Sequence, residues 1–106
     1  MITTTMAVIL ETANTLSRPV WRPHAIRLID RLRRRDDVEI VDLDGDCFNR
    51  GWDLYRNRPD KSWGLVDCVS FVVMRERGLT AALTTDRHFA QAGYRALLLE
   101  NSFDSE

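Results

Sequence analysis

One charged residue inside an apolar run constrains this chain more than any other feature. Residues 63–74 read Trp63-Gly64-Leu65-Val66-Asp67-Cys68-Val69-Ser70-Phe71-Val72-Val73-Met74, and Asp67 carries the only charge. Leu65, Val69, Val72 and Val73 cannot share a single stripe with Phe71 and Met74, so the segment is expected to be a helix buried nearly all round. A carboxylate left without a partner there would cost several kcal/mol. Asp67 therefore needs a cation, a proton or a polar cleft. The structural alternative is a hydrogen-bonded Asp in the first turns of a helix, where the dipole favours it.

Composition sets the scale of the rest. The 106 residues, 44% hydrophobic and 29% charged, suffice for one core and leave no room for a second domain. Net charge is −1, Lys61 is the sole lysine, and arginine crowds residues 18–35. Bulk charge of this kind does not announce a nucleic-acid binder. Cys47 and Cys68 lie far apart with no second pair, which argues against a disulfide framework or a zinc site and for two packing residues in a reducing interior. The N-terminus lacks a basic leader, and no apolar run approaches the ~20 residues that span a bilayer. A soluble, cytoplasmic protein away from the membrane is expected.

In chain order, Ile2-Thr3-Thr4-Thr5 suits a short strand, and residues 6–16 suit a helix with Val8, Ile9, Ala13 and Leu16 toward the core. Glu11 lies in that helix, with Asn14 one turn on. Pro19 and Pro23 mark a loop over residues 17–23. Ala25, Leu28, Ile29 and Leu32 then trace an amphipathic helix whose other face carries Arg27, Arg31 and Arg34. Residues 38–43 form a strand, and Asp44 starts a helix on which Phe48, Gly51, Trp52 and Tyr55 share a face expected to be core. A turn around Pro59 follows, with Asp60 or Ser62 able to cap the apolar helix and Gly78 to end it. Residues 79–85 read as a buried strand, 87–92 as a short helix stopped by Gly93, and 94–99 as the last strand. Residues 100–106 form a polar tail.

Alternating strands and helices predict an α/β domain with a mainly parallel sheet. Chemistry in such sheets gathers beyond the carboxyl ends of strands, which is where Asp86 and the hydroxyls of Thr84 and Thr85 fall. If Glu11, Asp67 and Asp86 converge, three carboxylates raise one another's pKa unless a hard divalent cation neutralises them. Oxygen donors without a Cys/His cluster favour Mg²⁺ or Mn²⁺ over zinc. That chemistry suits phosphodiester hydrolysis. A phosphoacceptor domain would also place acids at strand ends, but it needs a lysine near the last strand, and Lys61 lies elsewhere.

Three stretches, residues 8–16 (Val8-Ile9-Leu10-Glu11-Thr12-Ala13-Asn14-Thr15-Leu16), 60–71 (ending Asp67-Cys68-Val69-Ser70-Phe71) and 83–93 (with Thr85-Asp86-Arg87-His88-Phe89), come in the order in which similar motifs stand in PIN-domain proteins, the VapC-type toxin ribonucleases. The chain resembles that family over nearly its whole length, residues 1–99. The resemblance implies a three-layer α/β/α fold and Mg²⁺- or Mn²⁺-dependent cleavage of single-stranded RNA. It places Glu11, Asp67 and Asp86 at the second, third and fourth acidic positions of the metal site, with Asn14 and Thr85 in support. Arg87 and His88 are candidates for contact with RNA phosphates. A cognate antitoxin and a homodimer are the partners it suggests.

The chain departs from the pattern at its start. PIN domains open with a strand ending in Asp followed by Thr or Ser, and no counterpart precedes Met1. The expectation is a PIN-like sheet lacking its first, central strand, which would lie between the strands at residues 2–5 and 79–85. A start codon placed too late or a decayed gene would account for this, as would a strand donated by another chain. The competing reading is a truncated, non-catalytic PIN fragment that retains only the capacity to bind protein.

Overall fold

The computed structural model describes residues 1–82 and 87–97, and the chain divides into two compact units, Met1–Phe48 and Asn49–Glu106.

In the first unit, β1 (Ile2–Thr5) runs into α1 (Met6–Thr15), and α2 (Arg22–Arg34) leads to β2 (Val38–Val41). β1 and β2 pair in parallel from Ile2 opposite Val38 to Thr5 opposite Val41, so the two helices form the crossover that a parallel pair requires. Thr5 turns strand into helix: nearly fully buried, its Oγ1 accepts the Val8 N–H at 3.2 Å and caps α1. α1 buries Ala7 and Ile9, and α2 buries Ala25. The second helix starts earlier than Pro23 suggested, because a proline in the first turn gives up only an N–H that has no helical partner anyway. Arg35 clamps Asp37 through two hydrogen bonds of 2.8 and 2.7 Å just before β2, and this pairing pulls the exposed Asp37 carboxyl down to about 2.

The boundary between the units falls within α3 (Gly45–Asn57), whose first turn is capped by the Asp44 carboxylate accepting the Cys47 N–H at 2.8 Å. In the second unit, α4 (Leu65–Glu76) buries every residue from Cys68 to Met74, as its all-round apolar sequence predicts. It ends at Gly78, whose φ of 67° suits glycine, while the Leu79 N–H returns to the Met74 carbonyl at 2.8 Å. β3 (Ala81–Ala82) and β4 (Arg95–Ala96) pair in parallel, with α5 (Arg87–Gln91) between them. Phe71 is the hub of this unit's core, its ring 5.0 Å from Trp63, 4.8 Å from Phe89 and 5.9 Å from Tyr94. The Tyr94 hydroxyl donates to the Phe71 carbonyl at 3.1 Å, tying the segment after α5 to α4.

Both strand pairs are parallel, as expected. Residues 83–86 and 98–106, which include the ends of the two expected later strands, lie outside the described residues.

One expectation about packing is corrected. Of the α3 face expected to be core, Gly51 is buried, but Phe48, Trp52 and Tyr55 are each 41–44% exposed. The buried line is the adjacent one, Cys47, Gly51 and the half-buried Leu54. Gly51 explains the rotation: a Cβ there would sit 2.5 Å from Val69 Cγ2, so α3 approaches α4 at the glycine. The bulky aromatics flank that contact instead of filling it.

Candidate active site

Asp67 occupies the third helical position of α4, and its Oδ2 reaches back to accept the Gly64 N–H at 3.2 Å, satisfying one of the donors left open at a helix start. Asp60 and Ser62, the caps expected from sequence, do other work. Asp60 takes two hydrogen bonds from Arg58, at 3.0 and 2.9 Å, which hold its exposed carboxyl at about 2. Ser62 Oγ lies 3.2 Å from His88 Nε2. The cap is Gly64, whose extended backbone lets the chain enter the helix under the Asp67 side chain.

The same Oδ2 lies 3.5 Å from His88 Nδ1, an ion-pair distance when the ring is protonated. Ser62, His88 and Asp67 thus form a line in which the imidazole stands between a hydroxyl and a carboxylate. With its proton on Nδ1, the neutral ring accepts from the Ser62 hydroxyl; as an imidazolium it donates from both nitrogens. The Asp67 side chain is 21% exposed and that of His88 30%, so the pair is partly shielded but reachable. Oδ1 of Asp67 carries no hydrogen bond among the described residues. Its charge is felt beneath it: burial first, then the Asp67 carboxylate, push up the pKa of the wholly buried Cys68 thiol and keep it neutral. Cys68 is thereby a packing residue, as expected.

Beside this group Trp63 is buried, with the Arg58 guanidinium 5.2 Å and the Lys61 ammonium 5.9 Å from its ring centre. Trp63 belongs to the core rather than to a stacking surface for bases, and its indole N–H has no partner among the described residues.

The other expected site residues are placed as follows. Glu11 and Asn14 stand on α1 in the first unit, both exposed; the Glu11 carbonyl accepts from Thr15 Oγ1 at 2.9 Å. Arg87 begins α5 and is exposed. Thr85 and Asp86 lie outside the described residues. The structure therefore brings Asp67 and His88 together and adds Ser62, which sequence reading weighed only as a helix cap. No local signal links Ser62 to a histidine 26 positions away. Among the described residues no three His, Cys, Asp or Glu side chains group as a metal centre.

The sequence pattern of the PIN-domain family matches residues 1–93. This chain belongs to the PIN-domain family. The PIN domain here is 26% identical over 94 residues to the 23S rRNA-specific endonuclease VapC20 of Mycobacterium tuberculosis, a match covering 89% of this chain and 71% of that one, and it recurs in a second strain of that organism. The crystal structure of Mycobacterium tuberculosis VapC20, described as a sarcin–ricin loop cleaving toxin, superposes with a TM-score of 0.82 at 25% identity. That superposition covers 91% of this chain and 73% of the other. The PIN fold expected from the three motifs is thus the fold observed.

Proposed function

We propose that this PIN domain is a metal-dependent endoribonuclease of the VapC toxin type, hydrolysing phosphodiester bonds of single-stranded RNA. The observation that carries the reading is the partly shielded Asp67 carboxylate at the head of a buried helix, with Oδ2 held by the Gly64 N–H and 3.5 Å from His88 Nδ1. A half-shielded oxygen donor of this kind fits a hard cation. In this reading Asp67, Glu11 and Asp86 hold Mg²⁺ or Mn²⁺, supported by Asn14 and Thr85. When bound, the ion supplies a Lewis acid for the phosphoryl oxygen and a water of lowered pKa.

The chain's own residues set the geometry. The Gly64 N–H fixes the Asp67 rotamer, and the Ser62–His88 contact holds the imidazole against the carboxylate. In this reading Arg87, exposed at the start of α5, and His88 are the residues that contact RNA phosphates. The similarity to an rRNA endonuclease supports RNA as the substrate class. The same reading includes a cognate antitoxin as partner, a homodimer as assembly and a cytoplasmic location; no helix among the described residues is long and apolar enough to cross a membrane.

The purified chain should cut single-stranded RNA in Mn²⁺, with cleavage abolished by EDTA and lowered at least ~100-fold by Asp67→Asn, the scale of removing a group that acts on the transition state. Activity indifferent to both would sink the proposal. A chain that neither cuts RNA nor binds Mn²⁺ would instead be the alternative, a non-catalytic PIN fragment that only binds protein.

A further inference from the structure

A neutral imidazole has one proton and two nitrogens to hold it. On His88, in the second unit, those nitrogens meet different neighbours: Nε2 lies 3.2 Å from the Ser62 hydroxyl, and Nδ1 lies 3.5 Å from Asp67 Oδ2. Nδ1 is closed off from water, while Ser62 is exposed.

These surroundings choose between the two tautomers. A proton on Nδ1 sets a partial positive charge against the Asp67 carboxylate; a proton on Nε2 would set the Nδ1 lone pair there, and burial leaves that repulsion poorly screened. The Ser62 hydroxyl rotates to suit either state, donating to a bare Nε2 or accepting from Nε2–H, so it does not decide. The carboxylate does. Ser62 instead fixes the ring's rotation, because a half-turn of the imidazole would bring carbon atoms to both the hydroxyl and the carboxylate.

A further contact completes the arrangement, since Asp67 Oδ2 also accepts the Gly64 N–H at 3.2 Å. One donor would leave the carboxylate free to swing about that bond; two on the same oxygen restrict it. Carboxylates that hold metals are commonly steadied by hydrogen bonds of this kind.

We propose that His88 is a positioning residue: it keeps its proton on Nδ1, and that N–H, with the ring held by Ser62, orients the Asp67 carboxylate for the cation, a role that rests on the metal-dependent reading of the site. The phosphate contact assigned to His88 then falls to its Nε2 edge, beside the exposed Ser62.

Two measurements on the full chain test this. Long-range ¹H–¹⁵N correlation of the metal-free protein at about pH 8, above the ordinary range of imidazole, reads which nitrogen is bare. His88 should show a bare Nε2. His24 supplies the opposite pattern as an internal standard: Arg27 Nη2 lies 2.9 Å from its Nδ1, and a guanidinium only donates, so the His24 proton sits on Nε2. Calorimetric titration of Mn²⁺ then compares variants, with thermal unfolding of each as the control. His88→Leu should weaken Mn²⁺ binding about tenfold or more, and so should His88→Gln, whose amide falls at the Nε2 position. His88→Asn, whose amide nitrogen can occupy the Nδ1 position, should stay within about threefold of the wild type. A bare Nδ1 on His88, Mn²⁺ affinity unchanged in a folded His88→Leu, or His88→Asn as weak as His88→Leu would overturn the positioning role while the nuclease reading stands. A wild-type chain that binds no Mn²⁺ would overturn the reading beneath it, and the role with it.

Discussion

Helices α3 and α4 pack against each other, yet the same reading of apolar spacing succeeds on one and misplaces the other. In α4 apolar residues occupy every side, so any rotation buries them, and the residues from Cys68 to Met74 are all buried. In α3 two adjacent lines compete: Phe48, Trp52 and Tyr55 offer more apolar area, but Cys47, Gly51 and Leu54 are the ones turned inward. Spacing says which residues share a face; the smallest residue on the helix says where a neighbour comes closest. Here Gly51 against Val69 outweighs three aromatic rings.

Substitutions can break this contrast. Phe71→Ala should be the most damaging, at about 3 to 5 kcal/mol by chemical denaturation, because it empties the centre of the Trp63, Phe89 and Tyr94 cluster. Gly51→Val should cost about 1 to 3 kcal/mol by forcing α3 away from Val69; a neutral result would show that the glycine does not set the helix approach. Tyr94→Phe removes one hydrogen bond to the Phe71 carbonyl and should cost about 1 kcal/mol. Tyr55→Ser, by contrast, should cost less than about 1 kcal/mol, since it gives up only a half-exposed stack on Trp52. A loss of the size expected for Phe71→Ala would return the aromatic face to the core.

The smallest effect is electrostatic. Asp60, hydrogen-bonded by Arg58, should titrate by NMR at about 2, and Arg58→Ala should return it toward the ordinary value near 3.9. Because the folded pKa is the lower one, whatever stability the pair adds is present above about pH 4 and lost as pH falls through about 2. The pair is exposed, so the change in stability should be slight even where the titration is plain.

These contrasts also show what was legible in the sequence. The end of α4, the glycine stops at Gly78 and Gly93, the burial of Trp63 and the PIN fold follow from local pattern and from the three motifs. The rotation of α3 was not legible, because it depends on the neighbour that Gly51 admits. The capping of α4 was misread because Arg58 claims Asp60 and His88 claims Ser62, partners that sequence proximity only half suggests. Asp67 was singled out for its odd surroundings, and the structure gives it a cap and a histidine. Its link to Glu11 and Asp86 rests on the proposed chemistry.

That link can be tested without any RNA. Asp67→Asn keeps an oxygen to accept the Gly64 N–H, so the helix cap survives while the charge is lost. Calorimetric titration of Mn²⁺ into the wild-type chain and this variant, with thermal unfolding of both as the control, bears most directly on the central claim. The account predicts that the wild type binds Mn²⁺, that the variant binds at least about tenfold more weakly, and that the two differ in stability by less than about 1 kcal/mol. Equal Mn²⁺ affinity in two equally folded proteins would contradict it and leave Asp67 as a helix cap alone.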